Sequence, residues 1–141
     1  MFLPTIFIFM LLVTCAVIRN SQNLILAVQR SEEMRMPLKW EFPGGKLEAG
    51  ETEEQALIRE IQEELALDIL PQGRMNPVYH HYGAFSICLV PYWVRIVKEE
   101  IQLKEHIGYR WMHPNDLTEL DWAGADLPVV QQILDSEPWF F

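Results

Sequence analysis

Residues 44–67 read GGKLEAGETEEQALIREIQEELAL. Thr52 is a good helix N-cap, and Gln55 three residues later completes a capping-box pattern, so a helix starts here. Nothing breaks it before about Ala66. Leu57, Ile58, Ile61 and Leu65 recur at the spacing of a helix face packed on a core. Glu60, Glu63 and Glu64 stand at i, i+3 and i+4 and share a different face. Like charges that close repel, and a cation among them turns that cost into a site. Carboxylate oxygens are hard ligands and suit Mg²⁺ or Mn²⁺. A merely solvated acidic face would carry the same three residues, so the helix alone does not decide between the two.

The residues in front of the helix do more. Trp40-Glu41-Phe42-Pro43-Gly44-Gly45 reads as a strand running into a glycine turn, and adjacent glycines let backbone come close to a ligand. A loop with Gly50-Glu51 then leads into the helix. The spacing is Gly45, five residues, Glu51, seven residues, then Arg59-Glu60-Ile61-Gln62-Glu63-Glu64-Leu65-Ala66-Leu67. This resembles the Nudix box, the signature of hydrolases of nucleoside diphosphates linked to another moiety. It matches at every fixed position except Ala66, where the family has a glycine that helps the chain leave the helix. Alanine tightens that exit but touches no charged group.

The resemblance implies a fold and a chemistry. The fold is α/β, a Nudix α/β/α sandwich with a mixed sheet between the box helix and a C-terminal helix. The activity is a Mg²⁺-dependent (or Mn²⁺-dependent) nucleoside triphosphate pyrophosphohydrolase of the MutT or CTP pyrophosphohydrolase-like branch. It acts on 8-oxo-dGTP or (d)CTP and releases a nucleoside monophosphate and pyrophosphate. Glu60, Glu63, Glu64 and Glu105 would hold the metal, with the Gly44 carbonyl as a further oxygen ligand. Glu60 is favoured as the base that takes a proton from water, with Glu63 the other candidate. Arg59 and Glu51 are expected to form an ion pair that fixes the loop to the helix, with Gly45 as a structural residue of the box. Two other classes stay open: a non-catalytic Nudix domain that senses a nucleotide, and a membrane-anchored Nudix hydrolase.

The N-terminus favours a strand over an anchor. Residues 1–18 (MFLPTIFIFMLLVTCAVI) carry no charged side chain and reach the threshold length of a membrane span. A signal peptide would need a basic n-region and a small-residue cleavage site, and neither stands out. Residues 11–18, with Thr14, Cys15, Val17 and Ile18, suit a buried strand. Asn20-Ser21-Gln22-Asn23 then reads as a hairpin turn and residues 24–28 as the returning strand. Residues 1–10 are left as an apolar extension, too short to span, ahead of a domain over 11–141, and a cytoplasmic location is expected.

At 141 residues the chain has room for one domain with a real core. Its net charge of −9 supplies no basic stripe for a nucleic-acid polymer, but a nucleotide held by a few residues and a metal remains open. Cys15 and Cys88 sit in apolar runs and read as buried thiols.

Further along, residues 29–37 form a polar loop beginning beside Arg30. By its distance from Gly44, Arg30 matches an arginine that contacts substrate phosphate in the MutT branch, a task its fork suits. Residues 68–77 read as a connection with Pro71, Gly73 and Pro77. Residues 78–82 and 85–97 read as a second hairpin around Gly83, with Pro91 suggesting an edge or a bulge. His80 and His81 are adjacent and so face opposite sides of a strand. Glu105 stands six residues before Trp111, the place of an outlying metal-cluster glutamate in MutT-like proteins. The final helix begins near Asp126, a plausible N-cap ahead of Pro128. The resemblance instead has Asp126 read the base edge of the nucleotide, with Trp40, Phe42 and Trp122 available to stack on it.

Overall fold

The computed structural model describes residues 10–98 and 100–136. Along them run β1 (Met10–Arg19), β2 (Ile25–Gln29), β3 (Trp40–Glu41), β4 (Gly44–Lys46), α1 (Glu53–Leu65), β5 (Ile69–Arg74), β6 (Val78–His81), β7 (Ser86–Ile96), β8 (Gly108–Met112) and α2 (Leu127–Asp135). Two 3-10 turns, Pro114–Glu119 and Gly124–Asp126, lie between β8 and α2.

The strands form one mixed sheet. Its spine is β3-β2-β1-β7-β5, with β4 beside β1, β6 beside β7 and β8 beside β2. β1 and β7 run parallel in an unbroken register from Met10 opposite Ser86 to Arg19 opposite Arg95; the other pairings are antiparallel. Alternation along β1 sends Cys15 and Val17 to one face and Ala16 and Ile18 to the other. The first pair joins Val129, Val130 and Ile133 of α2 in one core. The second joins Leu57, Ile61 and Leu65 of α1 in a separate core. The sheet is therefore buried on both faces between the two helices, which is the α/β/α sandwich that the box implies.

α1 starts as its sequence dictates. Thr52 accepts from the Gln55 N–H, and the Gln55 side chain accepts from the Thr52 N–H. The buried face differs by one residue. Ile58 lies on the flank of the apolar stripe and stays 43% exposed, while Ala56 on the other flank is fully buried. At the exit, Ala66 takes a left-handed conformation with φ 55° and ψ 32°, and its N–H reaches the Gln62 carbonyl. A side chain there costs on the order of 1 kcal/mol, which a glycine would avoid.

Residues 69–74 are a strand, β5, not part of a connection. Pro71 and Gly73 hid it from the sequence pattern. β5 ends the sheet, so a proline without an N–H is tolerated, and the register shift between Pro71 and Gly73 absorbs the mismatch. Pro91 sits in central β7, not on an edge. It lies where the neighbour of β7 passes from β5, which ends opposite Tyr92, to β6, which begins opposite Leu89. Its carbonyl accepts from Met75 N–H at 2.8 Å, so its own nitrogen faces that gap and forfeits no ladder bond.

β1 opens at Met10, one residue before the expected domain start; residues 1–9 of the apolar extension lie outside the described residues. No helix among the described residues is long and apolar enough to cross a membrane. Cys15 and Cys88 are both free and buried.

Candidate active site

The site is built where β4, α1 and the chain on either side of them meet. A Cβ on Gly44 would run into the Thr14 carbonyl, and one on Gly45 into the Glu60 carboxyl. Only glycine lets β4 lie this close to β1 and to the acidic face of α1. Arg59 then ties the intervening loop down. Its Nε and Nη2 donate to Glu51 Oε2 and Oε1 at 2.7 and 2.8 Å, and Nη2 also donates to the Lys46 carbonyl at 3.0 Å. Arg59 and the Glu48 N–H hold Glu51 down at about 2. The expected Arg59–Glu51 pair is present and bidentate.

Arg59 does more than fix the loop. Its Nη1 donates to Glu60 at 2.8 Å and to Glu63 at 3.3 Å, so one guanidinium spreads over the helix carboxylates. Glu60 is half-buried and its carboxyl is raised by that burial, with Arg59 opposing. Glu63 keeps 59% of its side chain exposed. Glu64 is the most perturbed. Burial pushes it up to about 9, with the charges of Glu41, Glu60 and Glu105 adding and the Gly44 N–H opposing. Its Oε2 is buried without a hydrogen-bond partner.

Such an orphan acceptor beside other carboxylates fits a hard divalent cation, the group that would satisfy it and offset the repulsion. Among the described residues no three His, Cys, Asp or Glu side chains converge into a ready-made cage. Glu105 is exposed and contributes to Glu64 through its charge.

A cavity of about 620 Å³ opens next to Glu64. That volume is in the range of small-molecule sites. Glu64, Gly44 and Gly45 line it together with Arg30, Glu41, Phe42, Tyr82, Phe85 and Asp126. Of the three helix glutamates, Glu64 is the one on its wall. Asp126 is 6% exposed and does not cap α2; its Oδ1 accepts from the Phe42 N–H at 2.9 Å. Burial and the Glu41 charge raise its carboxyl well above the usual range. Pairing of the Trp40 backbone with Asp121 and Ala123, and of Ala125 N–H with the Tyr82 hydroxyl, holds the turn that presents Asp126.

The stacking candidates divide. Phe42 lines the cavity and stacks on Trp122, with ring centroids 4.6 Å apart. Trp40 is not part of the wall and lies under Arg110, 5.3 Å from its ring centroid. Tyr82 and Phe85 take that place, with Arg35 over Phe85 at 4.7 Å. Both come from the turn between β6 and β7, which the sequence showed only as a hairpin.

Glu41 is the residue that sequence reasoning missed. Arg30 Nη1 donates to its Oε1 at 2.7 Å, and His106 Nε2 lies 2.7 Å from its Oε2. It shares the cavity wall with Arg30, whose fork it partly occupies. The available signal was a lone carboxylate between Trp40 and Phe42, a charge in an apolar strand that requires partners.

Comparison with known proteins agrees with this geometry. A model of the NUDIX domain matches residues 10–133. An 8-oxo-dGTP diphosphatase of Haemophilus influenzae is 45% identical over 127 residues, 87% of this chain and 90% of that protein. A CTP pyrophosphohydrolase of Escherichia coli is 29% identical over 125 residues, 89% and 92% of the two chains. A solution structure of a MutT protein from Staphylococcus aureus superposes with a TM-score of 0.74 at 42% identity, covering 92% of this chain and 98% of that one. With the box glycines packed as the signature requires and a family match over nearly all the described residues, the chain belongs to the Nudix family.

Proposed function

We propose that this Nudix hydrolase is a MutT-type nucleoside triphosphate pyrophosphohydrolase, acting on 8-oxo-dGTP or (d)CTP and releasing a nucleoside monophosphate and pyrophosphate. The observation that carries the reading is that one cavity is lined both by Glu64 and by Asp126 with the rings of Phe42, Tyr82 and Phe85. A nucleotide calls for both, a carboxylate-held cation for its phosphates and rings with a polar group for its base. The relatives named for 8-oxo-dGTP and CTP support the substrate class.

The metal end falls to Glu60, Glu63, Glu64, Glu105 and the Gly44 carbonyl. Bound there, Mg²⁺ or Mn²⁺ would neutralise phosphate charge and acidify a water. Glu60 is the better candidate for the proton acceptor: its carboxyl is packed against Gly45 at the cavity's edge, whereas Glu63 faces solvent. Arg59 orients Glu60 through the Nη1 bond while keeping Glu51. Arg30, still with donors beyond the one given to Glu41, faces the cavity and suits a phosphate oxygen.

At the other end, Phe42, Tyr82 and Phe85 offer stacking worth about 1–3 kcal/mol per base with little discrimination. Discrimination falls to Asp126. As an ionised acceptor it favours bases that present an amino group, such as cytosine. Its burial favours the neutral acid, which donates as well as accepts and so also suits the mixed edge of 8-oxoguanine. Uracil and thymine fit neither form as well.

The test is kinetics of the wild type and Asp126→Ala on 8-oxo-dGTP, CTP, dCTP, UTP and dTTP with Mg²⁺. The wild type should prefer one of the first three. Asp126→Ala should erase the ranking more than it slows the best substrate. An unchanged ranking in the variant would remove Asp126 from base recognition.

A further inference from the structure

His106 is buried to 1% of its side chain, yet only one of its ring nitrogens has a partner. Nε2 bonds Glu41, whereas Nδ1 is enclosed without one. A buried polar atom left unpaired costs about 1–3 kcal/mol, so the single bond that remains calls for an explanation.

The bond sits at a particular place in the chain. The segment 101–107 is tied to the core at intervals: Gln102 N–H to the Leu65 carbonyl at 2.9 Å, Lys104 N–H to the Glu64 carbonyl at 3.2 Å, and Ile107 N–H to the Gln29 carbonyl at 3.0 Å. Glu105 itself is exposed and makes no side-chain hydrogen bond among the described residues. Its position is set by its neighbours, Lys104 on α1 and His106 on β3. Glu41, which receives His106 on one oxygen, is held by Arg30 on the other. The fastening therefore joins the segment carrying Glu105 to the strand and arginine on the cavity wall.

We propose that His106 is a positioning residue: its Nε2–Glu41 bond fastens the 101–107 segment so that the Glu105 carboxylate stands beside Glu64, where the two serve one divalent cation. The inference rests on the reading of Glu105 as part of the metal-binding carboxylates. What brings the two carboxylates together is side-chain packing beneath the loop, not the loop's backbone alone. The repulsion of Glu105 and Glu64 is then a property the fold enforces, and a cation relieves it.

The two ring nitrogens make the idea separable from bulk packing. The amide nitrogen of glutamine reaches the position of Nε2, and that of asparagine the position of Nδ1. Mn²⁺ binding to the full chain, read as free Mn²⁺ by electron paramagnetic resonance at one fixed pH without substrate, compares wild type, Glu105→Gln, His106→Asn and His106→Gln. Glu105→Gln and His106→Asn should each bind about 10-fold more weakly, the lower end for groups that orient metal ligands. His106→Gln should bind as the wild type does. Amide hydrogen exchange at Lys104 and Ile107 should quicken in His106→Asn and not in His106→Gln. Should the asparagine variant not fold, His106→Ala cuts the same bond without burying an amide. If Glu105→Gln weakens binding but severing the His106 bond does not, the inference falls and the reading of Glu105 stands. If Asn and Gln weaken binding alike, reach to Glu41 is not what matters and the inference falls. If Glu105→Gln binds Mn²⁺ normally, the reading of Glu105 falls and takes the inference with it.

Discussion

Glu64 holds an unfavourable position: half-buried, under the charge of three other carboxylates, with one enclosed oxygen unpartnered. Its replacement by glutamine removes a charge and changes almost no shape. Turnover with Mg²⁺ should fall on the order of 10²-fold or more, as for other lost electrostatic stabilisers, with an unaltered circular-dichroism spectrum. Near-normal rates at saturating Mg²⁺ would remove Glu64 from the machinery. The same residue gives a pH signature. Burial pushes its folded carboxyl up to about 9 from an ordinary 4.5. Over that window the unfolded chain releases the proton first, so rising pH favours unfolding. In EDTA, the Tm of the wild type should drop relative to that of Glu64→Gln as pH rises from about 5 toward 9; parallel curves would contradict the buried, proton-holding state. Glu64 could be singled out from the box because its spacing is a matter of sequence. Glu41 could not. Its partners Arg30 and His106 lie 11 and 65 residues away, and only the fold brings them together. The cap reading of Asp126, the alternative to base recognition, gives way for a tertiary reason: Asp126 stands at the N-cap position, but its carboxyl accepts from the Phe42 N–H, 84 residues distant, instead of from its own helix.

At the scale of elements, α1 was readable because its determinants are local: a capping box, a 3.6-residue stripe and a run of glutamates. Two predictions belong to it. Arg59→Ala removes the bidentate hold on Glu51 and the contacts to Glu60 and Glu63 together. It should lower both Tm and activity; full activity loss at wild-type Tm would place Arg59 on the substrate instead. Ala66→Gly removes a Cβ from a left-handed exit. Relief of strain, less the greater freedom of glycine in the unfolded chain, should stabilise the protein by about 0.5–1 kcal/mol in denaturant melts. A loss of stability would mean that this methyl group packs more than it strains. β5 was unreadable for the opposite reason. Pro71 and Gly73 are poor strand residues, and the strand exists because β7 offers it an edge.

For the whole molecule, the resemblance supplied the sandwich and the chain's own pattern supplied its parts. The parallel pairing of β1 with β7 links segments more than 70 residues apart, and no local pattern announces it. That pairing, with the turn after β6, brings Tyr82 and Phe85 to the cavity that Glu64 and Asp126 share. Trp40, a stacking candidate by sequence, is used instead beneath Arg110. With a divalent cation this cavity should hydrolyse a nucleoside triphosphate to monophosphate and pyrophosphate. The most direct test is chromatographic analysis of products from 8-oxo-dGTP, CTP and dCTP with Mg²⁺ and with excess EDTA. Nucleoside monophosphate and pyrophosphate should appear in equal amounts with Mg²⁺ and neither with EDTA. Release of orthophosphate and a nucleoside diphosphate, or undiminished hydrolysis in EDTA, would contradict it.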